Sequence, residues 1–369
     1  MPSMLFSPIT LRGLTLPNRV VVSPMCQYAS LEGSATDWHL VHLGQFSLGA
    51  GALVMTEMTN VNAQGRISPK CATLCSDANE AALKRVIDFC RAYGVAKHGI
   101  QIAHAGRKGS TEPPAAGGKP LTPAQGGWET VAPSALAYAP DWPTPRALTL
   151  QEIAKLQFEF VESTERALRI GYDVAELHAG HGYLLHQFLS PLSNRRNDRY
   201  GGSLENRMRM VLETFAAMRA VWPAQRPMGA RVSATDWVEG GWTPEETVVL
   251  ARELKALGCD YLDVSSGALD PRQKIPLAPG YQAPLAEKVR REAGIPTMTV
   301  GLITEPQQAE DIVARGQADF ICLARGAMWN PRWAWHAAEA LGAEAPYAPK
   351  TMACHPSLRP QVFPQRKAA

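Results

Sequence analysis

The sequence lacks the features that would assign it to a membrane or to nucleic acid. No apolar run approaches the ~18 residues that span a bilayer, and the first eight residues have neither a basic start nor an apolar stretch typical of a signal peptide. The 37 Lys and Arg residues are scattered and are nearly balanced by 34 Asp and Glu, which leaves a net charge of +3. We therefore expect a cytoplasmic protein that binds neither membranes nor nucleic acid.

Cysteine clusters and a glycine-rich phosphate turn are also missing. The seven cysteines are odd in number and scattered through apolar segments, which is typical of reduced thiols. Cys71 and Cys75 have no second pair to complete a zinc or iron–sulfur site, so we predict no metal centre. The first predicted strand is followed by residues 24–28, without the glycines that open a doubly wound nucleotide-binding sheet.

Short β-branched runs alternate with amphipathic helices along most of the 369 residues. Several helices begin at Thr or Pro and end at Gly, and the strand runs are apolar on both faces, as buried parallel strands are. Eight runs predict strands: 20–23, 52–57, 98–104, 173–178, 228–233, 261–265, 297–301 and 320–324. Because eight β/α units close a barrel, the pattern predicts an α/β fold in which residues 1–369 form a single (β/α)8 TIM barrel domain.

Three segments are predicted to decorate the barrel. Residues 5–18 resemble a short β-hairpin that plugs the bottom of the barrel, with a turn at Arg12 and Gly13. Residues 111–145 hold eight prolines and four glycines and form a long loop insertion after strand three, too stiff and polar to be a strand. This insertion is either a lid over the active face or a plain surface excursion. Residues 343–369 form a C-terminal tail.

Polar and small residues collect where the predicted strands end, which is where barrel enzymes carry their active sites. Strand one is followed by Ser23, Pro24, Met25 and Cys26, with Tyr28 two residues further. The remaining strand ends contribute Met58, Gln101, His178, His181, Tyr183, Arg231, Gly301, Ala324 and Arg325. The last three follow strands seven and eight, the usual phosphate site of a barrel.

His178 and His181 are the most informative pair. Spaced three residues apart just past a strand, both rings can point at one small volume and donate two N–H groups to one carbonyl oxygen. They could instead be two ligands of a catalytic zinc, with Glu57 or His104 as the third, or two hydrogen-bonded structural histidines.

Tyr183 and Arg231 have equally distinct alternatives. An ordinary phenol is protonated at neutral pH, so Tyr183 can donate a proton, although it could also be a packing residue. Arg231 is a permanent cation at a buried strand end. It either stabilises a bound anion or a reduced cofactor, or pairs with an acid such as Asp236 or Glu57.

Several stretches resemble the Old Yellow Enzyme family, and in particular its bacterial thermophilic-like subgroup that includes the xenobiotic reductases. They lie at residues 23–28, 101–108, 176–184, 188–191, 197–207 and 263–267, within a likeness that extends from Leu5 to about Gly342. The resemblance implies a barrel that holds one non-covalent FMN and takes hydride from NADPH or NADH.

The resemblance also implies roles for individual residues. Ser23, Pro24, Met25, Cys26, Met58, Gln101, Arg231, Gly301, Ala324 and Arg325 would hold FMN. Arg231 would face the flavin N1/O2 edge, and Cys26 would tune its potential. Tyr28, His178, His181 and Tyr183 would form the substrate pocket, and Lys108 would support the flavin or the edge of the pocket.

The implied reaction is reduction of the activated C=C bond of α,β-unsaturated carbonyl compounds, such as enones, with nitro compounds as a further class. The two histidines would hold the carbonyl oxygen, flavin N5 would deliver hydride to the β-carbon, and Tyr183 would protonate the α-carbon. Relatives of this kind form homodimers or homotetramers. Met58 stands where they usually have a small residue, and Ala324 replaces a glycine, which is tolerable if its φ is negative.

Overall fold

Eight parallel strands close into a barrel in the computed structural model, which describes residues 2–49 and 51–358. The strands are β1 (Ile9–Leu11), β2 (Leu14–Leu16), β3 (Val20–Val22), β4 (Leu53–Asn60), β5 (Lys97–Ala103), β6 (Val131–Ala132), β7 (Arg146–Ala147), β8 (Val174–Ala179), β9 (Met228–Ser233), β10 (Leu262–Ser265), β11 (Thr297–Thr299) and β12 (Phe320–Leu323). The barrel runs β3-β4-β5-β8-β9-β10-β11-β12, and β12 pairs with β3 to close it. The predicted TIM barrel is confirmed.

The antiparallel pair β1–β2 forms the predicted N-terminal hairpin, turning at Arg12 and Gly13. The first strand of the hairpin is Ile9–Leu11, so the hairpin begins later than the predicted segment 5–18 does. Leu11 and Leu16 pack into one buried cluster with Val21, Leu53 and Phe320 from the barrel strands. The hairpin therefore closes the N-terminal end of the barrel with apolar side chains, because strand interiors there would otherwise face water.

Ten helices lie in the described part of the chain. They are α1 (Asp37–Ser47), α2 (Asp77–Tyr93), α3 (Leu150–Ile170), α4 (Leu184–Leu189), α5 (Leu204–Val221), α6 (Pro244–Ala256), α7 (Ala283–Ala293), α8 (Pro306–Ala314), α9 (Arg325–Trp329) and α10 (Trp333–Ala340). The hydroxyls of Thr149 and Thr243 cap α3 and α6 by accepting the N–H three residues on. Within residues 2–49 and 51–358, none of the helices is both long and apolar enough to cross a bilayer.

The register of the strands places polar residues in layers inside the C-terminal half of the barrel. His178 is opposite Arg231, which is opposite Asp263, and Gln101 is opposite Glu176. Side chains two residues apart on a strand point to the same face. The next layer above Arg231 and Asp263 is therefore formed by the last residues of their strands.

The insertion at 111–145 follows β5 and precedes α3, as predicted, but it is not free of strands. Strand β6 within it pairs in parallel, over two residues, with β7, which directly follows the insertion. The tail that begins at residue 343 contains short 3-10 turns at Pro349–Cys354 and Pro356–Leu358, and residues 359–369 lie outside the described part.

Two consecutive cations connect the insertion to the barrel. The buried guanidinium of Arg107 donates to the carbonyl oxygens of Leu136 and Ala137 at 3.2 Å and to that of Leu269 at 3.1 Å. Lys108 Nζ lies 5.0 Å from the centre of the Tyr138 ring. These contacts hold the insertion against the loop that follows β10.

Lys108 also restrains two strained loops. Its Nζ donates to the carbonyl oxygens of His181 and Ala268, both at 2.8 Å. Both of those residues have left-handed backbone, with φ of 56° and 69°, which is unfavourable for any side chain beyond glycine. Burial, with a smaller contribution from the charge of Arg107, lowers the pKa of Lys108 to about 7.

We predict that Lys108→Met destabilises the protein, because two backbone carbonyls lose their donor and the strained loops lose their tie. An unsatisfied buried acceptor costs about 1–3 kcal/mol, and that is the expected loss in the free energy of unfolding measured by chemical denaturation. The control is Lys119→Met, which changes an exposed lysine of the same insertion. Equal stability of the two variants would contradict the role of Lys108.

Candidate active site

The predicted site residues come together at one end of the barrel. Parallel strands share the direction in which they end, so the residues that follow β3, β11 and β12 meet those at the ends of β4, β5, β8 and β9. His178 lies inside β8 and Arg231 inside β9, whereas His181 and Tyr183 lie in the turn between β8 and α4. The turn is therefore carried by a rigid strand on one side and a helix on the other.

The two histidines face each other. His178 Nε2 lies 3.2 Å from His181 Nδ1, and the ring planes are nearly perpendicular at 84°. His181 is held at three further points, since its backbone N–H donates to Ser233 Oγ at 2.9 Å and its Nε2 lies 2.8 Å from Ser265 Oγ, besides its carbonyl on Lys108.

Both rings are neutral at neutral pH. Burial lowers the pKa of His178 and of His181 well below the usual value, and the positive charge of Arg231 lowers both further. A neutral imidazole carries one N–H and one lone pair, so each ring can donate a single hydrogen bond. The pair can bind an electron-rich oxygen without itself being a cation.

Tyr183 stands beside this pair. Its ring centre is 5.3 Å from that of His178 and 6.4 Å from that of His181, and it precedes α4 as the N-cap residue. Burial raises the pKa of the phenol well above its usual value, and the nearby thiol of Cys26 adds to the effect. The hydroxyl therefore keeps its proton at neutral pH.

A second buried pair fixes the turn that carries Tyr183. His186 Nε2 lies 2.9 Å from Asp236 Oδ1, with both side chains fully buried, and His186 Nδ1 accepts from the Gly182 N–H at 2.9 Å. Gly182 has φ of 72°, and a Cβ there would lie 2.2 Å from the Ala268 carbonyl oxygen. Only glycine fits this position in the turn.

Beneath the histidines lies a network of buried charges. Arg231 Nε is 3.1 Å from Asp263 Oδ2. The acid that faces this cation is therefore Asp263, and not Asp236 or Glu57, the two candidates that the sequence suggested. Glu176 accepts hydrogen bonds from Gln101 Nε2 at 2.8 Å and from the Tyr261 hydroxyl at 3.1 Å. Burial alone would lower the pKa of Arg231, but Asp263, with a smaller contribution from Glu176, outweighs burial and raises the pKa of the guanidinium.

Glu57 instead organises the loop after β3. Its carboxylate accepts from the Gln27 N–H at 3.0 Å and lies 3.1 Å from His39 Nε2 on α1. The register between β4 and β5 shifts at this residue, which is typical of a β-bulge and turns the carboxylate toward the loop. Sequence reasoning missed α1, because its exposed Trp38 and its buried His39 obscure the apolar stripe.

The loop held by Glu57 places Cys26 and Tyr28 near Tyr183. Both residues, with Tyr183, pack against a buried cluster that contains Met58. Tyr28 has φ of 51°, again in the left-handed region. Burial raises the pKa of Cys26 well above the usual value for a thiol, so it is a neutral, weakly polar group. Met58 forms part of the wall behind these residues.

The end of β12 offers a free cation. Arg325 is exposed, and its guanidinium has no hydrogen bond or ion pair with the described residues, although its charge acts on Tyr281. Ala324 has φ of −110°, so the replacement of glycine costs no strain there, and Gly301 has φ of 120°. The buried hydroxyls of Ser23 and Thr299 make no hydrogen bond in the structure, although the Cys322 thiol approaches that of Ser23.

A zinc site is not the arrangement that these residues form. In the part of the chain that the structure describes, no three His, Cys, Asp or Glu side chains are grouped to hold a metal ion. Of the two third ligands considered, Glu57 is engaged by His39 and Gln27, and His104 Nδ1 accepts from the Gly106 N–H at 3.0 Å.

The buried carboxyl of Glu176 predicts a dependence of stability on pH. Burial, with a smaller contribution from the Asp263 carboxylate, raises its pKa to about 8. The unfolded chain loses this proton near pH 4.3, so between that pH and about 8 the folded state binds more protons and stability falls as pH rises. Glu176→Gln removes this contribution.

We therefore expect the free energy of unfolding of Glu176→Gln to rise relative to the wild type as pH increases from 5 to 8. The gain is at most about 1.4 kcal/mol for each pH unit. Denaturant unfolding at several pH values measures it, with exposed Glu205→Gln as the control that keeps the wild-type profile. Parallel profiles of all three proteins would show that Glu176 is ionised in the folded state.

Comparison with known proteins places this site in a family. Residues 4–344 match the NADH:flavin oxidoreductase / NADH oxidase family. The NADPH dehydrogenase of Geobacillus sp. (strain WCH70) is 43% identical over 344 residues, which cover 93% of this chain and 96% of that protein. The NADPH dehydrogenase of Listeria innocua serovar 6a is 43% identical over 350 residues, with 94% and 98% covered.

Solved structures agree. Morphinone reductase superimposes with a TM-score of 0.77 at 27% identity, covering 95% of this chain and 93% of its own. A 2-naphthoyl-CoA reductase complex gives a TM-score of 0.82 at 25% identity over 92% of this chain, which spans only 52% of that longer protein. These matches confirm the resemblance to the Old Yellow Enzyme family and the predicted flavin and nicotinamide cofactors. The chain belongs to the NADH:flavin oxidoreductase / NADH oxidase family and is an FMN-dependent oxidoreductase.

Proposed function

We propose that the protein reduces the activated C=C bond of α,β-unsaturated carbonyl compounds, using reduced nicotinamide as the electron source. The observation that carries this proposal is the geometry of three side chains. Two neutral imidazole nitrogens lie 3.2 Å apart, close enough for one oxygen to accept from both, and a protonated phenol stands beside them. One carbonyl oxygen accepting two N–H donors and one nearby proton source is what reduction of an enone requires.

The chain has the residues to hold FMN at this end of the barrel. The phosphate fits the free guanidinium of Arg325 and the backbone after Gly301, since anions bind where small residues expose N–H groups next to a cation. The unpartnered hydroxyls of Ser23 and Thr299 and the charged Arg231 supply polar contacts for the rest of the group. We assign Pro24, Met25, Cys26, Met58, Gln101 and Ala324 to the same site. When bound, FMN supplies the hydride that it has accepted from the nicotinamide.

The two histidines act on the substrate oxygen. Each donates one N–H to the carbonyl, which withdraws electrons from the conjugated C=C bond and stabilises the negative charge that develops on the oxygen. Because both rings are neutral and held in a low-dielectric site, they lose little hydration when the substrate binds. The barrel strand under His178 and the four contacts of His181 keep both donors in place.

Tyr183 supplies the proton. Its hydroxyl remains protonated, because burial opposes the phenolate, and it can pass the proton from Oη to the α-carbon of the substrate. Lys108 Nζ lies 5.3 Å from the centre of its ring, where the positive charge of the protonated amine stabilises the phenolate that remains. Tyr28 and Cys26 enclose the other side of the pocket and exclude water.

The relatives support the same reading. The NADPH dehydrogenases are named for the electron donor, and morphinone reductase is named for the reduction of morphinone. We infer that this chain takes NADPH or NADH, and that its physiological substrate belongs to the same chemical class.

A direct test uses the purified holoprotein without oxygen. The flavin absorbance should bleach when NADPH is added and recover on addition of 2-cyclohexenone. We predict that His181→Ala lowers kcat/KM for the enone about 100- to 1000-fold, the usual effect of one oxyanion donor. Exposed His336→Ala is the control. Bleaching without recovery by any enone would indicate a flavoprotein with another substrate, and unchanged enone kinetics in His181→Ala would refute the role of the pair.

Tyr183→Phe separates proton delivery from electron uptake. We expect it to slow the step that reoxidises the enzyme with 2-cyclohexenone by at least about 100-fold, the contribution of a general acid, and to leave reduction by NADPH nearly unchanged. Stopped-flow absorbance measures the two half-reactions separately. Tyr200→Phe, which removes a hydroxyl bonded to Glu213 on α5, controls for the loss of a tyrosine. Equal slowing of both half-reactions would argue for a packing role.

A further inference from the structure

We propose that Ser265 is a positioning residue that sets the tautomer of His181, so that this ring presents an N–H at Nδ1 when a ligand oxygen occupies the site. The inference rests on the proposed function, because it assumes that both histidines donate to one oxygen. It concerns Ser265 at the end of β10, which is not among the predicted site residues. Its hydroxyl lies 2.8 Å from His181 Nε2, and its side chain is buried.

The hydrogen bonds of the ligand-free structure fix where the ring protons are. The Gly180 N–H donates to His178 Nδ1 at 3.3 Å, so that nitrogen carries a lone pair and the proton is on Nε2. The Arg231 carbonyl also approaches this ring, but the Gly180 contact is the one with hydrogen-bond geometry. His178 Nε2 then donates to His181 Nδ1 across the 3.2 Å separation.

The remaining donors follow in order along this chain. Since His181 Nδ1 accepts, the neutral ring has its proton on Nε2 and donates to Ser265 Oγ. The Ser265 hydroxyl in turn donates a hydrogen bond to the Val232 carbonyl oxygen, 3.2 Å away. Each donor in this series of hydrogen bonds donates once, and the series runs from the Gly180 N–H to the Val232 carbonyl oxygen.

A ligand oxygen between the rings needs a different proton count. Two facing nitrogens that are hydrogen-bonded to each other share one proton, whereas an oxygen held by both nitrogens needs two. The second must be on His181 Nδ1, because His178 already donates from Nε2. In a neutral ring, a proton on Nδ1 leaves a lone pair on Nε2, and that lone pair requires a donor.

Ser265 is the residue that can supply this donor. A hydroxyl both donates and accepts, so it can rotate its proton from the Val232 carbonyl to His181 Nε2. An alanine could not donate, and a carbonyl or a carboxylate in its place could only accept and would lock the ring in the ligand-free form. The exchange is balanced: one proton leaves Nε2 for solvent water, another reaches Nδ1 from water, and the ring stays neutral throughout.

Register explains how Ser265 reaches this position. It is opposite Ser233 in the layer directly above Arg231 and Asp263. Ser233 Oγ accepts from the His181 backbone N–H, whereas Ser265 Oγ meets the ring. Two neighbouring strand ends thus hold the backbone and the ring of one residue, and only the Ser265 contact can change direction with the ligand.

The experiment uses the FMN-loaded enzyme labelled with 15N-histidine and the probe 4-nitrophenol, whose phenolate oxygen can accept both N–H groups. Two-bond 1H–15N correlation spectra distinguish the two tautomers of each ring, and the spectrum of His181→Gln identifies the His181 signals. We expect His181 to be protonated on Nε2 in the free enzyme and on Nδ1 in the complex. A ring already protonated on Nδ1 without ligand, or unchanged by it, would overturn the proposal.

Three variants complete the test. Ser265→Ala should weaken binding of 4-nitrophenol about tenfold, the equivalent of one hydrogen bond, and should abolish the tautomer change. Ser265→Thr retains a hydroxyl and should restore both. Ser266→Ala removes the neighbouring hydroxyl, which donates to Gln282, and should behave as wild type. Wild-type affinity and tautomer change in Ser265→Ala would refute the proposal even if that variant lost stability.

The same measurements separate this proposal from the proposed function. If the wild-type enzyme neither binds the phenolate nor reduces 2-cyclohexenone, the assignment of the histidines as oxygen-binding donors fails, and the role of Ser265 fails with it. If the wild type does both and only the Ser265 variants are indistinguishable from it, the proposed function stands and the tautomer proposal is rejected.

Discussion

Removal of charged and polar groups from water is the constraint on which this site depends. Barrel closure buries Arg231, Asp263 and Glu176 on neighbouring strands, and the charge that this group retains acts on the two imidazole rings. Desolvation and the Arg231 cation both oppose protonation of the histidines, so the same group that would attract an anion keeps the two donors neutral. The buried charges thus set the protonation state of the two histidines.

A second constraint is backbone strain. Several non-glycine residues with left-handed φ follow barrel strands: Tyr28, Ser110, His181, Trp237, Ala268 and Leu302. Such conformations persist only where the surroundings enforce them. At His181 the enforcement is visible, because Ser233 holds the N–H and Lys108 holds the carbonyl. The ring can therefore change its hydrogen-bond direction while its backbone stays in place.

The sequence predicts the architecture well because periodicity and turn residues are local signals. The eight barrel strands, the hairpin turn at Arg12 and the insertion after β5 all follow from them, as does the gathering of His178 and His181. The same local signals do not predict which side chains from different strands contact each other. The facing of Arg231 and Asp263, the bulge at Glu57 and the approach of Ser265 to His181 depend on register between strands 30 or more residues apart, which no local pattern encodes.

The alternation of side chains along each strand nevertheless gives a signal from which the position of Ser265 can be predicted. Ser265 is two residues after Asp263 and Ser233 two after Arg231, so alternation alone places both hydroxyls on the inner face at the ends of adjacent strands. Residues at such positions are one layer closer to the rim than the buried charges and contact whatever turn covers the barrel. In this chain that turn contains His181. Small hydroxyl residues there can donate or accept, and that freedom is what a site needs when the number of donors it presents must differ between its empty and its occupied state.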